Sequence, residues 1–432
     1  MRIGLFTDTY HPSTNGIVAV VDITRRELEK AGHEVYVFCP GGKSENVDRD
    51  DPMIVRFPSV PTGIFDNHRL SAFIPRVVLQ KIKKLDLDVL HFFTPLQVGV
   101  MAVYAAERTG AVLVGQHSTD LYQYVEHYPQ VLPGLLLFGT TLPFTVKLKG
   151  QDVRTLLSIY KPRKGPTSWN REIVERAISL LYSRCDSVVA LSRKSQQQLL
   201  NWRNEQYTYD VTLMPTGVDA LPKATAQEMA DFRSQHGIVE SDQLIGYVGR
   251  LGSEKNLDLL VDALPLILRR APKAKLVLVG DFDYRESLEE RVIDMGLGER
   301  VVFAGRMPRE KLGRVYQQIK VFTFPSMTDT QGLVLHEAAL SGCPIVLIDE
   351  PVTEVLRDGI NGYVARDDPE DFASKVAKIL VDPKKQELFS RESKKLARQF
   401  SEQRQVAKQI ALYEQLIAKR DEVRSKFQEE EE

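Results

Sequence analysis

Short uninterrupted apolar segments alternate with longer segments of helical periodicity along most of the chain. These segments are continuous, as in strands that a sheet buries on both faces. Six precede residue 215 and comprise Arg2 to Phe6, Glu34 to Cys39, Val89 to Phe93, Ala111 to Gly115, Ser187 to Leu191 and Val211 to Met214. Five follow it and comprise Leu244 to Val248, Lys275 to Val279, Val301 to Phe303, Val321 to Phe324 and Pro344 to Ile348.

Helical patterns lie between several of these strands, at Val18 to Ala31, Asn256 to Arg269 and Leu335 to Ser341. The order β-α-β predicts parallel sheets. Because Pro215, Gly217 and Pro222 interrupt the pattern before it restarts, we predict two doubly wound α/β domains, 1–216 and 217–400. A segment at 401–432 is charged and helical by pattern over Glu402 to Phe427 and ends in four glutamates, which we interpret as a solvated tail.

Composition excludes several classes of protein. Lys plus Arg number 57 and Asp plus Glu 58, so the chain has no global basic field for nucleic acid. Cys39, Cys185 and Cys343 are far apart in sequence, which argues against a disulfide framework or a zinc site and for a reducing cytoplasm. The apolar run at the N-terminus breaks at Thr7, too early for the hydrophobic region of a signal peptide.

Doubly wound domains bind ligands beyond the carboxyl ends of their strands, so we expect a site in a cleft that the two domains face. The turn from Thr7 to Gly16 lacks G-x-G-x-x-G, and the chain contains no P-loop motif. This disfavours a dinucleotide oxidoreductase or a P-loop ATPase.

The strongest charge signal follows the first strand of the second domain. Arg250 ends that strand, and Lys255 follows at the predicted start of a helix, with Ser253 available as its cap. Two cations and a helix N-terminus suit a diphosphate. The alternative is a strand-to-helix turn with solvated charges.

A second signal is a pair of carboxylates eight residues apart. Asp329 lies in a loop after a strand, and Glu337 lies in the helix that Gly332 opens. One acid can reach a sugar and the other a ribose, while the amides of Gly332 to Val334 face phosphates. The alternatives are an exposed helix carboxylate for Glu337 and a turn former for Asp329.

These motifs together resemble the retaining glycosyltransferases of family 4, which have the GT-B fold of two Rossmann-like domains facing a cleft, with a C-terminal helix packing back on the first domain. The resemblance covers most of the chain, and Asp329 stands where the family has Glu. The T-D-T-Q-G-L sequence at Thr328 to Leu333 resembles the T-E-T-Q-G-L of enzymes that glycosylate diacylglycerol. The motifs are Thr14 to Ile17, Pro215 to Asp219, G-R-L-x-x-x-K-N at Gly249 to Asn256, the acidic pair, and a loop at His117 to Tyr122 similar to H-T-x-Y.

The resemblance implies a role for each matched residue. Arg250 and Lys255 would stabilise the leaving diphosphate, Glu337 would hold the ribose, and Asp329 would hold the transferred sugar. His117 would lie against the donor sugar, although a lone histidine at a strand end is more often structural. The implied donor site comprises Gly16, Arg250, Lys255, Asp329, Gln331, Gly332, Leu333, Val334 and Glu337.

Neither a cofactor nor a metal is expected, because two cations already face the diphosphate. The stretch Asp281 to Asp283 spells D-x-D, a metal motif of the other glycosyltransferase fold. It follows a predicted strand, and we interpret it as a turn.

The acceptor side carries an apolar insertion at 127–164. Twenty residues from His127 to Val146 contain no Lys, Arg, Asp or Glu, and basic residues follow immediately. We interpret this insertion as a contact with an anionic membrane surface. A second amphipathic segment, Arg69 to Leu85, resembles a membrane-docking helix, but we favour an outer helix that packs on the sheet. The predicted membrane contacts are Leu135, Leu136, Phe138, Lys161, Arg163 and Lys164.

The sequence thus predicts a peripheral enzyme on the cytoplasmic face of the membrane, which transfers glucose from UDP-glucose to diacylglycerol or a related lipid. The first alternative is a GDP-mannose-dependent α-mannosyltransferase acting on a lipid or soluble acceptor. A UDP-sugar 2-epimerase shares the fold but needs no lipid, so the apolar insertion argues against it. A non-catalytic membrane-binding module does not require the cationic pair together with the carboxylate pair, which argues against that class of protein.

Overall fold

A computed structural model describes residues 1–13, 15–41, 51–61, 69–71, 75–119 and 166–431. The chain divides into two compact units, the first formed by Met1–Thr216 with Glu402–Glu432 and the second by Gly217–Ser401. Each unit has one sheet with its own buried core of aliphatic and aromatic side chains. The two doubly wound α/β domains predicted from the sequence are confirmed.

The first unit is built on an eight-stranded sheet in the order β4-β3-β2-β1-β5-β6-β7-β8. Every neighbouring pair is parallel except β3 and β4, which are antiparallel. Its strands are β1 (Arg2–Phe6), β2 (Glu34–Gly41), β3 (Ile54–Pro61), β4 (Arg69–Ser71), β5 (Val89–Phe92), β6 (Val112–His117), β7 (Ser187–Ala190) and β8 (Val211–Leu213). Within the described part of this unit, the helices are α1 (Gly16–Lys30), α2 (Pro75–Leu85), α3 (Gln97–Thr109), α4 (Pro166–Tyr182), α5 (Arg193–Trp202) and the C-terminal α13 (Glu402–Glu431).

The segment from Arg69 to Leu85 is not one helix. Its first residues form β4, where the guanidinium of Arg69 donates to Oγ and the carbonyl of Ser59, at 2.8 and 3.0 Å. The helix α2 begins only at Pro75, whose fixed φ suits the first turn. Ile82 is buried in the core of the first unit, and Lys81 on the same helix is exposed. The helix therefore packs on the core of the first unit, in agreement with the favoured prediction of an outer helix.

The C-terminal helix α13 packs back on the first unit, as predicted. The hydroxyl of Tyr413 lies 2.5 Å from Nδ1 of His91 on β5, and the amide of Gln409 lies 2.9 Å from the same nitrogen. Arg26 on α1 forms an ion pair with Glu402 at the start of α13. The helix continues to Glu431 rather than ending at Phe427, so the acidic residues extend it.

The second unit contains six parallel strands in the order β11-β10-β9-β12-β13-β14. Strand order reverses between β9 and β12, so the loops that follow these two strands flank the switch point where doubly wound folds bind ligands. Its strands are β9 (Gln243–Val248), β10 (Ala274–Val279), β11 (Val301–Gly305), β12 (Ile319–Phe324), β13 (Ile345–Leu347) and β14 (Gly362–Val364). Its helices are α6 (Ala226–Gln235), α7 (Asp258–Arg270), α8 (Arg285–Asp294), α9 (Gly313–Tyr316), α10 (Leu333–Ser341), α11 (Pro369–Leu380) and α12 (Pro383–Ala397).

Candidate functional site

The turn that carries Arg250 leaves β9 through a close approach of two glycines. Gly249 and Gly280 follow β9 and β10 with φ of 156° and 140°, which L side chains rarely adopt. A Cβ atom on Gly280 would lie only 1.8 Å from the carbonyl oxygen of Gly249. The hydroxyl of Tyr247 donates to the carbonyl of Arg250 at 3.0 Å. Backbone packing therefore fixes the position from which Arg250 projects.

The predicted helix start at Asn256 was wrong. Ser253–Lys255 form a short 3₁₀ turn, and Asn256 then adopts a left-handed conformation with φ of 54°, so α7 begins only at Asp258. Asparagine tolerates this conformation better than most residues. Its side-chain amide donates to Oδ1 of Asp367 at 2.9 Å. Ser253 consequently caps no α-helix.

Two cations and two carboxylates form ion pairs between this turn and the loop after β12. Nη2 of Arg250 lies 3.1 Å from Oε1 of Glu254, and Nζ of Lys255 lies 4.0 Å from the same oxygen. Nζ of Lys255 also lies 2.9 Å from Oδ1 of Asp329 in the loop after β12. Glu254 and Lys255 are buried, and a Cβ on Gly252 would lie 2.2 Å from Oε2 of Glu254. We call Arg250, Glu254, Lys255 and Asp329 the ion-pair cluster.

Further hydrogen bonds join the two loops on either side of the switch point. Oγ1 of Thr328 donates to the carbonyl of Glu254 at 3.3 Å, and Nδ2 of Asn256 lies 3.4 Å from the carbonyl oxygen of Pro325. The buried hydroxyl of Ser326 donates to Oδ2 of Asp329. Each carboxylate oxygen of Asp329 thus has its own donor, which fixes the orientation of the carboxylate. Glu254 and Ser326 were not among the site residues predicted from the sequence.

Glu337 lies in α10 and is buried, so it is not the exposed helix carboxylate of the alternative interpretation. Nε of Arg309 donates to its Oε1 at 2.7 Å, and the hydroxyl of Tyr316 donates to its Oε2 at 3.1 Å. Burial raises the pKa of Tyr316 well above its ordinary value, which keeps the hydroxyl proton in place. Sequence reasoning missed Arg309 and Tyr316, because both come from elements distant in sequence.

The first turn of α10 presents backbone amides at the same end of the sheet. Gly332 precedes this helix and has no side chain to cap it, whereas a Cβ there would lie 2.7 Å from Cδ1 of Leu335. The amides of Leu333 and Val334 belong to this positive end, with Gln331 just before it. Burial lowers the pKa of His336 to about 4, so this histidine adds no positive charge at neutral pH.

In the first unit, His117 ends β6 with no exposed surface. Its Nδ1 lies 3.1 Å from the hydroxyl of Tyr182, and its ring meets that of Trp202 edge-on at 5.5 Å. These contacts are those of a structural histidine. The contact between His117 and the donor sugar stays a prediction.

Gly16 is the first residue of α1, and a Cβ built on it would meet no atom of the described residues within 4 Å. The side chain of Asn15 accepts hydrogen bonds from the amides of Ile17 and Val18, both at 3.1 Å. The position that a Cβ on Gly16 would take is therefore unoccupied by any of the residues that the structure describes. The predicted membrane contacts Leu135, Leu136, Phe138, Lys161, Arg163 and Lys164 all lie outside the described residues.

The D-x-D stretch follows β10, where Asp281 lies 3.8 Å from Arg285 one helical turn later. Its central residue, Phe282, lies beneath the guanidinium of Arg250, 4.8 Å from the ring centroid. Among the described residues, no three His, Cys, Asp or Glu side chains come together as a metal-binding group. None of the helices described in 1–13, 15–41, 51–61, 69–71, 75–119 and 166–431 has the length and apolarity needed to cross a bilayer.

The two halves of the chain match two family models. Residues 14–220 match Glycosyltransferase Family 4, and residues 228–396 match Glycosyl transferases group 1. The chain is 26% identical over 355 residues to the alpha-monoglucosyldiacylglycerol synthase of Streptococcus pneumoniae (strain ATCC BAA-255 / R6), which covers 81% of this chain and 72% of the relative.

More distant similarities extend along most of the chain. A GDP-mannose-dependent alpha-mannosyltransferase of Corynebacterium glutamicum is 21% identical over 369 residues, 84% of this chain and 76% of that protein. The structure of sucrose-phosphate synthase from Thermosynechococcus elongatus superposes with a TM-score of 0.69 at 18% identity, over 96% of this chain and 99% of that one. This likeness shows that the fold is shared.

Proposed function

The chain belongs to the glycosyltransferases of family 4 and group 1, and from this membership we propose that it transfers glucose from UDP-glucose to diacylglycerol or a related membrane lipid, with retention of the α configuration. The observation that carries the proposal is the ion pair between Lys255 and Asp329 at the switch point of the second unit. It joins a cation suited to a diphosphate and a carboxylate suited to sugar hydroxyls within one site.

The donor binds the second unit through groups of complementary chemistry. Arg250 and Lys255 attract the diphosphate, and the amides at the start of α10 add the positive end of a helix dipole. Glu337, oriented by Arg309 and Tyr316, accepts hydrogen bonds from the ribose hydroxyls. Asp329 accepts hydrogen bonds from the transferred hexose.

Transfer breaks the bond between the anomeric carbon and the phosphate oxygen and forms a bond from that carbon to the acceptor oxygen. The acceptor attacks from the face that the leaving group vacates, and the departing phosphate takes the proton of the acceptor hydroxyl. Negative charge grows on the diphosphate in the transition state, so preorganised cations lower the barrier. Because Arg250 and Lys255 supply this charge, we propose that the reaction needs no metal ion.

A lipid acceptor is supported by two features outside the donor site. The relative from Streptococcus pneumoniae is named as a synthase of alpha-monoglucosyldiacylglycerol. The insertion at 127–164 combines an apolar stretch with Lys161, Arg163 and Lys164, a composition suited to anionic headgroups. We propose that the enzyme acts at the cytoplasmic face of the membrane, bound peripherally.

The second candidate is a GDP-mannose-dependent α-mannosyltransferase, which the relative from Corynebacterium glutamicum favours by its name and its coverage. Glu337, Lys255 and Arg250 serve either donor equally, because ribose and diphosphate are common to UDP-glucose and GDP-mannose. The sugar and the base must be distinguished by experiment.

The test combines detergent-dispersed diacylglycerol with UDP-glucose, UDP-galactose and GDP-mannose in separate reactions. We expect a neutral glycolipid with an α linkage from UDP-glucose. Asp329→Asn should abolish its formation, and Asp281→Asn serves as the matched control because Asp281 lies outside the ion-pair cluster. A lipid product from GDP-mannose alone would favour the second candidate. A β linkage would refute retention, and transfer only to a soluble acceptor would refute the lipid proposal.

A further inference from the structure

The ion-pair cluster is electrically balanced before any substrate arrives. Arg250 pairs with Glu254, and Lys255 lies between Glu254 and Asp329, so two cations face two carboxylates. A diphosphate approaching this cluster meets cations whose charge is already matched. The site therefore has less net attraction for a free nucleoside diphosphate than Arg250 and Lys255 alone suggest.

Asp329 competes directly with a diphosphate for Lys255. The side chains of Lys255 and Asp329 are only 11% and 23% exposed, so water screens their interaction weakly. A phosphate oxygen that replaces Oδ1 of Asp329 beside Nζ leaves the carboxylate with one donor fewer and a new anion nearby. Both effects are unfavourable for the carboxylate.

A hexose attached to the diphosphate removes this penalty. Its hydroxyls donate hydrogen bonds to the carboxylate and replace Lys255 as a partner, whereas the hydroxyls of a nucleoside diphosphate are those of its ribose, which Glu337 binds. Oδ2 is held by Ser326, so Oδ1 is the oxygen at which the exchange takes place.

Resting on the proposed function, we propose that the Lys255–Asp329 ion pair makes tight binding of the diphosphate conditional on the presence of the sugar. Asp329 is then a specificity-determining residue that separates substrate from product as well as a contact for the hexose. Once the hexose has been transferred, Lys255 returns to Asp329 and the nucleoside diphosphate is released more readily. This is a coupling between two parts of one ligand site, expressed as a ratio of dissociation constants.

The experiment measures dissociation constants of UDP and UDP-glucose by calorimetry without acceptor, for the parent protein and three variants. Asp329→Asn should bind UDP about tenfold more tightly than the parent, equivalent to about 1.4 kcal/mol, and should lose the preference for UDP-glucose over UDP. Asp329→Glu keeps the charge and should keep the parent's preference. Asp281→Asn removes one negative charge from the same unit without contacting Lys255, and it should leave both constants within about twofold.

Ser326→Ala provides an independent variant that keeps both charged groups. It removes the donor to Oδ2 of Asp329, so displacement of Lys255 from Oδ1 costs the carboxylate more, and the inhibition constant of UDP should rise relative to the KM of UDP-glucose. This ratio does not depend on the fraction of folded enzyme, which separates the effect from a loss of stability.

If the parent binds UDP-glucose and Asp329→Asn binds UDP no more tightly than the parent does, this inference alone is overturned. An equal gain in Asp281→Asn would also overturn it, because long-range charge would then explain the result. If the parent binds GDP and GDP-mannose instead, the same ratios apply to that pair. Absence of binding to all four nucleotides would overturn the proposed function together with this inference.

Discussion

Nε of Arg309 lies 2.7 Å from Oε1 of Glu337, which makes an arginine distant in sequence the partner of the carboxylate assigned to the ribose. Glu337 is buried and Arg309 is half exposed, so the arginine sets the direction in which the carboxylate presents its remaining lone pairs. The position of Glu337 thus depends on the turn after β11 as well as on its own helix.

Arg309→Ala should raise the KM for the donor nucleotide sugar by about tenfold with little change in kcat. The ribose is distant from the reacting bond. A weaker contact between Glu337 and the ribose therefore reduces binding of the ground state and of the transition state equally. Steady-state kinetics at saturating acceptor measures the effects on KM and on kcat separately. Arg291→Ala removes a surface arginine paired with Asp262 and should change neither constant. A fall in kcat at constant KM would contradict the assignment of Glu337 to the ribose.

Arg250→Ala and Lys255→Ala should each reduce kcat by about 10² to 10³, the scale for loss of one preorganised transition-state group. Single-turnover measurements with saturating donor isolate this effect from binding. Lys255→Ala also leaves the buried carboxylate of Glu254 and the partly buried Asp329 with one cation fewer, so its melting temperature should fall more than that of Arg250→Ala. Near-normal turnover in either variant would refute its proposed role on the diphosphate.

Transfer should continue in the presence of EDTA, because the proposed diphosphate site already supplies two side-chain cations. Asp281→Ala should retain parental turnover, since its aspartate interacts with Arg285 on the protein surface. The measurement is the rate before and after dialysis against chelator. Complete inactivation that magnesium or manganese restores would show that D-x-D or another group holds a metal.

Binding to anionic liposomes should weaken steeply with salt, because each basic residue near such a surface contributes about 1 kcal/mol and is screened within about 10 Å. Replacement of Lys161, Arg163 and Lys164 by Glu should release the enzyme in a vesicle co-sedimentation assay. The matched control reverses the three lysines of α2, namely Lys81, Lys83 and Lys84. Release by the control alone would transfer the membrane contact to α2.

The burial of His91 should make a contribution to the stability of the first unit that is lost as pH falls below about 6.5. Burial lowers the pKa of His91 from its ordinary value of 6.5 to about 3, so the folded state binds fewer protons than the unfolded state between these values. The contribution of buried His91 to the free energy of unfolding is complete above about pH 6.5 and decreases by about 1.4 kcal/mol per pH unit below it.

Chemical denaturation of the parent and His91→Gln at pH 7 and pH 5 isolates this contribution. Between pH 7 and pH 5 the free energy of unfolding should fall by more in the parent than in the variant, although Tyr413 and Gln409 lose their partner in the variant at both pH values. Asp8, whose pKa burial raises to about 6, has the opposite dependence, and it is present in both proteins. Equal pH dependence of the parent and the variant would contradict the burial of a neutral His91.

The amino-acid sequence was sufficient to predict the fold class, the two domains and the motifs of the proposed donor site. Continuous apolar strands and intervening helices specify buried parallel sheets, because only strands covered on both faces exclude polar residues throughout. Shorter or interrupted strands were missed. β3 contains Arg56 and two prolines, and β14 spans only Gly362–Val364, so neither has a long apolar run.

The tertiary structure alone decided which charges meet. Lys255 and Asp329 lie on loops 74 residues apart in sequence, and they form an ion pair because β9 and β12 are neighbours in the sheet. Arg309 and Glu337 likewise come from different elements, and their pairing depends on the packing around α10. Local patterns specify strands and helices through side-chain periodicity, whereas contacts between loops depend on strand order, which no local pattern contains.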